Sequence, residues 1–203
     1  MFKELFIRNR VLLKLIIYII YFKFSNMKER IFEFFTESGK VFLNPDDLFY
    51  FKTEDPDKNG IISLIFYSLM LALVVGIAMG DLVITAVLLV ASLILPIVYM
   101  FIHTIFVFIF ARLLGGSGSF MNTFNLMSYS GVLNVLLIVA IALTKINPLI
   151  LIPVIILVYL WKMVLEIIAV SEEHNLGYAK AFLSTRGISL IILIIVLIIL
   201  GLI

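Results

Sequence analysis

A few polar side chains recur at helical spacing inside long apolar stretches, and their types could support chemistry. Tyr159, Lys162 and Glu166 follow steps of three and four residues, which places them on one face of a helix. The same spacing, in one case through Pro96, groups Ser92, Tyr99 and His103, and also Asn122, Asn125 and Tyr129. Polar groups are costly inside a bilayer, so we expect these faces to point inward. They would either form interhelical hydrogen bonds, with Lys162 paired to Glu166, or line a small hydrated cavity for an ion, a proton or a lipid headgroup.

Residue arrangements typical of enzymes are missing from the sequence. Its two histidines lie on different segments, outside any His-Glu-x-x-His or paired-carboxylate pattern, and it has no cysteine. Glu172, Glu173 and His174 are adjacent, but adjacent residues rarely converge on one metal, so we expect a solvated turn there. No basic domain indicates nucleic acid. We therefore expect no catalysis, no cofactor, no metal site and no nucleic-acid partner.

The elements that must position these residues are membrane helices. The chain is 64% hydrophobic and 14% charged, with a mean hydropathy of +1.23, against about 45–50% and about 25% for a soluble domain. A soluble fold of this size could not bury so much apolar surface, so the excess must face lipid. The sequence predicts an all-α, polytopic membrane helix bundle, with interfacial helices in its N-terminal region.

Five apolar stretches are long enough to cross a bilayer, at about residues 61–79, 82–114, 121–143, 148–170 and 185–203. The second is long enough that Pro96 could either kink one helix or divide two short spans. A single crossing leaves Lys145 as the one basic residue outside, which fits the positive-inside rule. We therefore predict a multi-pass protein of the cell membrane, with its N-terminus in the cytoplasm and its C-terminus outside.

The stretch LLGGSGSF (113–120) falls between the second and third spans. Gly115 and Gly116, followed by Gly118, suit a helix end that needs a left-handed residue, and Ser119 suits the N-cap of the next helix. An anion site on the exposed amides is the alternative. The Lys and Ser/Thr that complete a nucleotide-binding loop are absent.

Residues 1–58 are predicted to form a basic, aromatic cytoplasmic region ahead of the membrane domain at residues 59–203. Residues 1–26 are either a helix on an anionic membrane surface or an extension upstream of a true start at Met27. Residues 27–52 are rich in the aromatic side chains that favour the headgroup layer. The Asn44-Pro45-Asp46 element should end one short helix and begin another.

Three stretches resemble the Yip family of five-span membrane proteins, and the likeness covers about residues 27–203. They are ARLLGGSGSFMNTFNLMSYSGV (111–132), VFLNPDDLF (41–49) and EEHNLGYAKAF (172–182). The resemblance implies a five-helix fold. The family member that this chain resembles is taken to be prokaryotic. Eukaryotic relatives are Golgi and endoplasmic-reticulum proteins that bind Rab GTPases, so the resemblance, and nothing else in the sequence, implies a GTPase-like partner.

Two functions remain open from the sequence. The first is a non-enzymatic membrane scaffold or adaptor, which contacts the lipid bilayer and a cytoplasmic or membrane protein through its cytoplasmic face. The residues predicted for that surface are Asn44, Pro45, Asp46, Asp47, Phe49, Glu172, Glu173 and His174. The second is a small transporter or channel for an ion or lipid, which uses the intramembrane polar residues. A transporter would need broken helices or a continuous polar path, and the fifth span offers neither.

Overall fold

A computed structural model describes residues 27–201 and divides the chain into two units, with the boundary between Gly39 and Lys40. In the first unit, residues 27–39 are helical, and this helix, α1, covers residues 27–43. The predictions made for residues 1–26 lie outside the described residues. All the elements that follow α1 lie in the second unit.

The second unit is built from helices, and residues 27–201 contain no β-strand. After α1, the helices are α2 (Pro45–Glu54), α3 (Asn59–Met79), α4 (Leu82–Leu113), α5 (Phe120–Ser128), α6 (Asn134–Leu143), α7 (Leu151–His174) and α8 (Tyr178–Ile199). Two 3₁₀ segments, Tyr129–Leu133 and Pro148–Ile150, continue into α6 and α7. The all-α prediction is confirmed.

Five helical stretches are long and apolar enough to cross a membrane, which confirms the predicted number of spans. They are Asn59–Met79, Leu82–Leu113, Phe120–Leu143, Pro148–His174 and Tyr178–Ile199. The second is one continuous helix with Pro96 inside it, so the proline does not divide it.

The connection predicted between the last two spans, from residue 171 to residue 184, is too long. The helix of the fourth span, α7, continues to His174, and the helix of the fifth span, α8, begins at Tyr178. The connection between them is therefore only residues 175–177. Asn175 ends α7 in the left-handed conformation, with φ of 52°. Ser184 and Thr185 donate their hydroxyls to carbonyls within α8, so these polar groups are satisfied inside the helix.

The core is concentrated around the first half of the third span. Every residue from 122 to 134 is buried, and α3, α4 and α7 pack around this segment. The outward faces of the long helices carry exposed leucine, isoleucine and valine, as expected of surfaces that meet lipid.

Candidate functional site

The glycine-rich turn after α4 is a helix-ending motif whose carbonyls are satisfied locally. The N–H of Gly115 donates to Arg112 O at 3.1 Å, and that of Gly116 donates to Ala111 O at 2.8 Å. This hydrogen-bond pair defines a Schellman motif, whose left-handed position is Gly115 with φ of +96°. The turn predicted at the glycines is therefore present.

His174, at the end of α7, fastens this turn. Its Nδ1 accepts the N–H of Gly118 at 3.2 Å, and its Nε2 lies 3.0 Å from Thr123 Oγ1. Because Nδ1 accepts a backbone proton, the imidazole is neutral, with its own proton on Nε2. His174 is 1% exposed, so the solvated turn expected at this residue is wrong.

Glu173 makes a second connection between the same two segments. Its Oε1 accepts the N–H of Ser119 at 2.6 Å, and its Oε2 accepts the side-chain amide of Asn122. Ser119 also caps α5 by accepting the N–H of Asn122 at 3.2 Å, as predicted for an N-cap serine. We call residues 111–123 and 171–176 together the clamp.

Side chains of α7 bond two of the amides that an anion site in the clamp would use. The N–H groups of Gly118 and Ser119 already have His174 and Glu173 as acceptors, and Arg112 donates to the carbonyls of Gly116 and Gly118 at 3.3 and 2.6 Å. The N–H groups of Gly118 and Ser119 are therefore not available to the anion-site alternative for this turn.

Helix α2 lies against the clamp and is anchored by three kinds of contact. The amide of Asn122 donates to Lys52 O at 3.3 Å, and the hydroxyl of Tyr178 donates to Asp46 Oδ1 at 2.8 Å. Phe49 is fully buried, with its ring centroid 5.9 Å from that of Tyr129. These contacts fix the orientation of α2 relative to the spans.

The predicted cytoplasmic surface is only partly accessible. Asn44 and Asp47 are exposed, while Asp46, Glu172 and Glu173 are half-buried. Pro45, Phe49 and His174 are buried and serve packing or the clamp. The structure therefore leaves Asn44, Asp46, Asp47 and Glu172 as the members of this set that lie at the surface without a bond to the turn.

The outer face of α2 carries two exposed aromatic residues, Tyr50 and Phe51, which the sequence predicted only for the headgroup layer. Tyr50 and Phe51 are 57% and 56% exposed, and Glu54 is exposed beside them. The Tyr50 hydroxyl donates to Glu54 at 3.0 Å, and this hydrogen bond to the carboxylate raises the pKa of Tyr50. We call Asn44, Asp47, Tyr50, Phe51 and Glu54 the α2 surface.

A cavity of about 510 Å³ lies within the spans and is lined by residues of α3, α4, α7, α8 and the third span. Five residues predicted as intramembrane polar groups line it: Ser92, Tyr99, Tyr159, Lys162 and Glu166. The sequence analysis missed four further polar residues in its wall: Ser68, Ser130, Asn134 and Arg186. Ser68 and Asn134 are single polar residues inside apolar stretches, a signal that could have found them.

The predicted pairing of Lys162 with Glu166 is wrong. Glu166 accepts from Arg186 Nη2 at 2.6 Å, and His103 Nε2 lies 3.4 Å away on the same carboxylate oxygen. Lys162 donates instead to Asn134 Oδ1 at 3.2 Å. Arg186 can reach Glu166 because α8 begins at Tyr178, which places Arg186 inside the bundle and not in a loop.

Asn122, Asn125 and Tyr129, the polar residues predicted on one face of the third span, do not line the cavity. Asn125 Oδ1 accepts the N–H of Ile61 at 3.2 Å, and Tyr129 is fully buried beside α2. A Cβ at Gly60 would collide with the carbonyl of Asn125, so α3 and α5 approach closely at this glycine. These residues hold the bundle together, as the first of the two predicted interpretations requires.

No group of three His, Asp or Glu residues suited to holding a metal ion occurs within residues 27–201. The cation–carboxylate contacts among the spans serve packing and the cavity wall, and the clamp histidine has protein partners on both ring nitrogens.

Comparison with known proteins gives one match. The sequence matches the family described as the Yip1 domain over residues 39–200. This range contains all five spans, the clamp and α2. Neither a curated protein nor a solved structure matches the chain.

Proposed function

The chain belongs to the Yip1 domain family, and we propose that it works as a non-enzymatic membrane scaffold or adaptor that recruits a protein through its cytoplasmic face. Contact with the lipid bilayer follows from the five spans. The protein partner, the cell-membrane location and the orientation with N-terminus inside and C-terminus outside belong to the proposal.

The observation that carries this proposal is the difference between the two ends of the bundle. At one end, α2, the clamp and the start of α8 form a continuous, interconnected polar structure. At the other end, Gly80 and Asp81 connect α3 to α4, and residues 144–147 connect the third span to the fourth. A protein that recruits a partner needs one elaborated surface, whereas a transporter needs access at both ends.

The clamp supports the proposal because it gives the α2 surface a fixed position. Asn122 is held by Glu173 and in turn holds the backbone of α2 at Lys52. Tyr178 holds the first turn of α2 through Asp46. A surface held in place by hydrogen bonds and packing loses little conformational freedom when a partner binds, and this lowers the entropic cost of binding.

The chemistry of the α2 surface indicates the kind of partner. Tyr50 and Phe51 present exposed aromatic area, and Asp47 and Glu54 add negative charge around it. Aromatic residues commonly supply the central contacts of an interface, and charges at its rim select a complementary partner. We infer a cytoplasmic or membrane protein with a basic rim around an apolar centre. A GTPase-like partner rests on family analogy alone.

The test compares two double variants in native membranes. Asp47→Lys with Phe51→Ala changes the α2 surface without touching the clamp, and Lys145→Glu with Ile146→Ala alters exposed residues at the opposite end. Proteins copurifying in native lipid are quantified by mass spectrometry after chemical crosslinking. We expect at least one stoichiometric partner to be lost from the first variant and retained by the second.

A different pair of results would overturn the proposal. If both variants retain the same partners, and liposomes containing the protein show a solute flux that is lost in His103→Ala, the chain transports and does not recruit.

A further inference from the structure

The intramembrane cavity holds more positive than negative charge. Its acidic and basic lining residues are Lys162, Arg186 and Glu166, so two cations face one carboxylate, and that carboxylate is already bonded to Arg186 at 2.6 Å. Lys162 donates to the neutral amide of Asn134 at 3.2 Å. A cation without a counter-charge is costly in a low-dielectric site. The cavity is therefore built to receive an anion.

Both cations also have donor capacity that protein groups leave unused. The Arg186 Nε is buried and has no hydrogen-bond partner within residues 27–201. Lys162 carries three ammonium protons, and the bond to Asn134 uses one. An unpartnered buried donor destabilises the protein, and a suitable ligand would remove that cost. An anion with several acceptor oxygens, such as a phosphate, satisfies this donor set.

The rest of the cavity wall is mainly apolar, with Ser68, Ser92 and Ser130 as small polar groups among leucine, valine and alanine side chains. Leu71 and Val75 of α3 face Leu88 and Leu95 of α4 across it. The volume of about 510 Å³ falls within the roughly 300–1,000 Å³ typical of small-molecule sites. A cavity with a cationic end and an apolar end matches an amphipathic ligand better than a bare ion.

The position of the opening favours a ligand that arrives from the bilayer. Tyr99 and Leu95 on α4 and Tyr159 on α7 line the cavity yet are 66%, 63% and 59% exposed. All three lie within spans, so this exposed part of the lining lies at the depth of the bilayer. Lys162 is twelve positions before the end of α7 at His174, which is about 18 Å along the helix axis. A free anion would have to cross apolar surroundings to reach it, whereas a lipid can enter sideways.

We propose that this cavity binds one lipid with a net anionic phosphate headgroup, the phosphate lying between Lys162 and Arg186 and an acyl chain lying along the wall formed by α3 and α4. The proposal is independent of the adaptor function, because none of its residues belongs to the clamp or the α2 surface.

Native mass spectrometry of the purified full chain tests the proposal. Three probes are added separately: palmitoyl-oleoyl phosphatidylglycerol, the matched phosphatidylcholine and inorganic phosphate. We expect the wild type to retain one phosphatidylglycerol in preference to phosphatidylcholine, and inorganic phosphate at millimolar concentration to leave that lipid bound. Lys162→Gln keeps a donor for Asn134 but removes the charge, and we expect it to weaken phosphatidylglycerol binding at least about tenfold.

Two further variants keep the test decisive. Lys145→Gln removes an exposed cation outside the cavity and should leave binding unchanged. Ala91→Phe narrows the apolar wall without touching a charge and should also abolish retention, so the proposal can fail even if Lys162→Gln does not fold. Equal binding of both lipids, or unchanged binding in Lys162→Gln and Ala91→Phe, would overturn it. Displacement of the lipid by inorganic phosphate would assign the site to a small anion and overturn the lipid assignment.

Discussion

Removing one partner of the ion pair between Glu166 and Arg186 should strongly destabilise the protein, and this gives a measurable prediction. The carboxylate and guanidinium lie 2.6 Å apart with side chains 8% and 14% exposed. Glu166→Leu leaves the guanidinium buried without its counter-charge, which typically costs about 3–5 kcal/mol. For a chain of this length about 1 kcal/mol lowers the melting temperature by roughly 2–4 °C, so we expect a decrease of about 6–20 °C.

The partner of Glu166 is identified by two double variants. Glu166→Leu with Arg186→Leu replaces both charges by apolar side chains and should restore most of the lost stability. Glu166→Leu with Lys162→Leu should not, because Lys162 is held by Asn134 and not by Glu166. Thermal unfolding of the purified proteins is followed in one non-ionic detergent. Restoration by Lys162→Leu in place of Arg186→Leu would refute the assigned pair.

Three further predictions concern the clamp and the orientation of the chain. His174→Ala should lower stability by about 1–3 kcal/mol, because the buried N–H of Gly118 loses its acceptor; His174→Asn keeps an acceptor and should lose less, and equal melting temperatures for the two would contradict the hydrogen bond. Gly118→Ala should destabilise more than Gly177→Ala, since a Cβ at the first would lie 2.5 Å from a backbone carbonyl oxygen of α7 and a Cβ at the second meets no atom within 4 Å; matching melting curves would argue against the close approach. The chain has no cysteine, and Ser117→Cys and Asn147→Cys both introduce exposed thiols; an impermeant maleimide should label the first only from the cytoplasm and the second only from outside, and labelling from one side would exclude five crossings.

The five spans could be predicted because hydropathy over about twenty residues is a local property of the sequence. The same is true of the turn at Gly115 and the cap at Ser119, whose requirements lie within a few neighbouring residues. Predicting one span around Pro96 required the charge distribution as well, since a long apolar stretch with a proline fits either one span or two. The structure has the single helix that the positive-inside argument favours.

The errors at Glu166 and His174 concern contacts between residues that are distant in the sequence. Glu166 and Arg186 are twenty positions apart and meet because α8 begins earlier than the apolar pattern indicates. His174 looked solvated beside two glutamates, yet its partner Gly118 is fifty-six positions away. The neighbouring sequence does not show whether a polar residue near a helix end faces solvent or bonds to a buried group. Only the packing of the turn against α7 decides it.

The most direct test of the adaptor proposal is photocrosslinking from the α2 surface in native membranes. A photoreactive phenylalanine analogue replaces Phe51, and a control replaces Ile146 at the opposite end; both positions are exposed. We predict a discrete protein adduct from position 51 that disappears when Asp47→Lys is added, and no matching adduct from position 146. Adducts of the same mass from both positions, or only lipid adducts from position 51, would contradict recruitment through this surface.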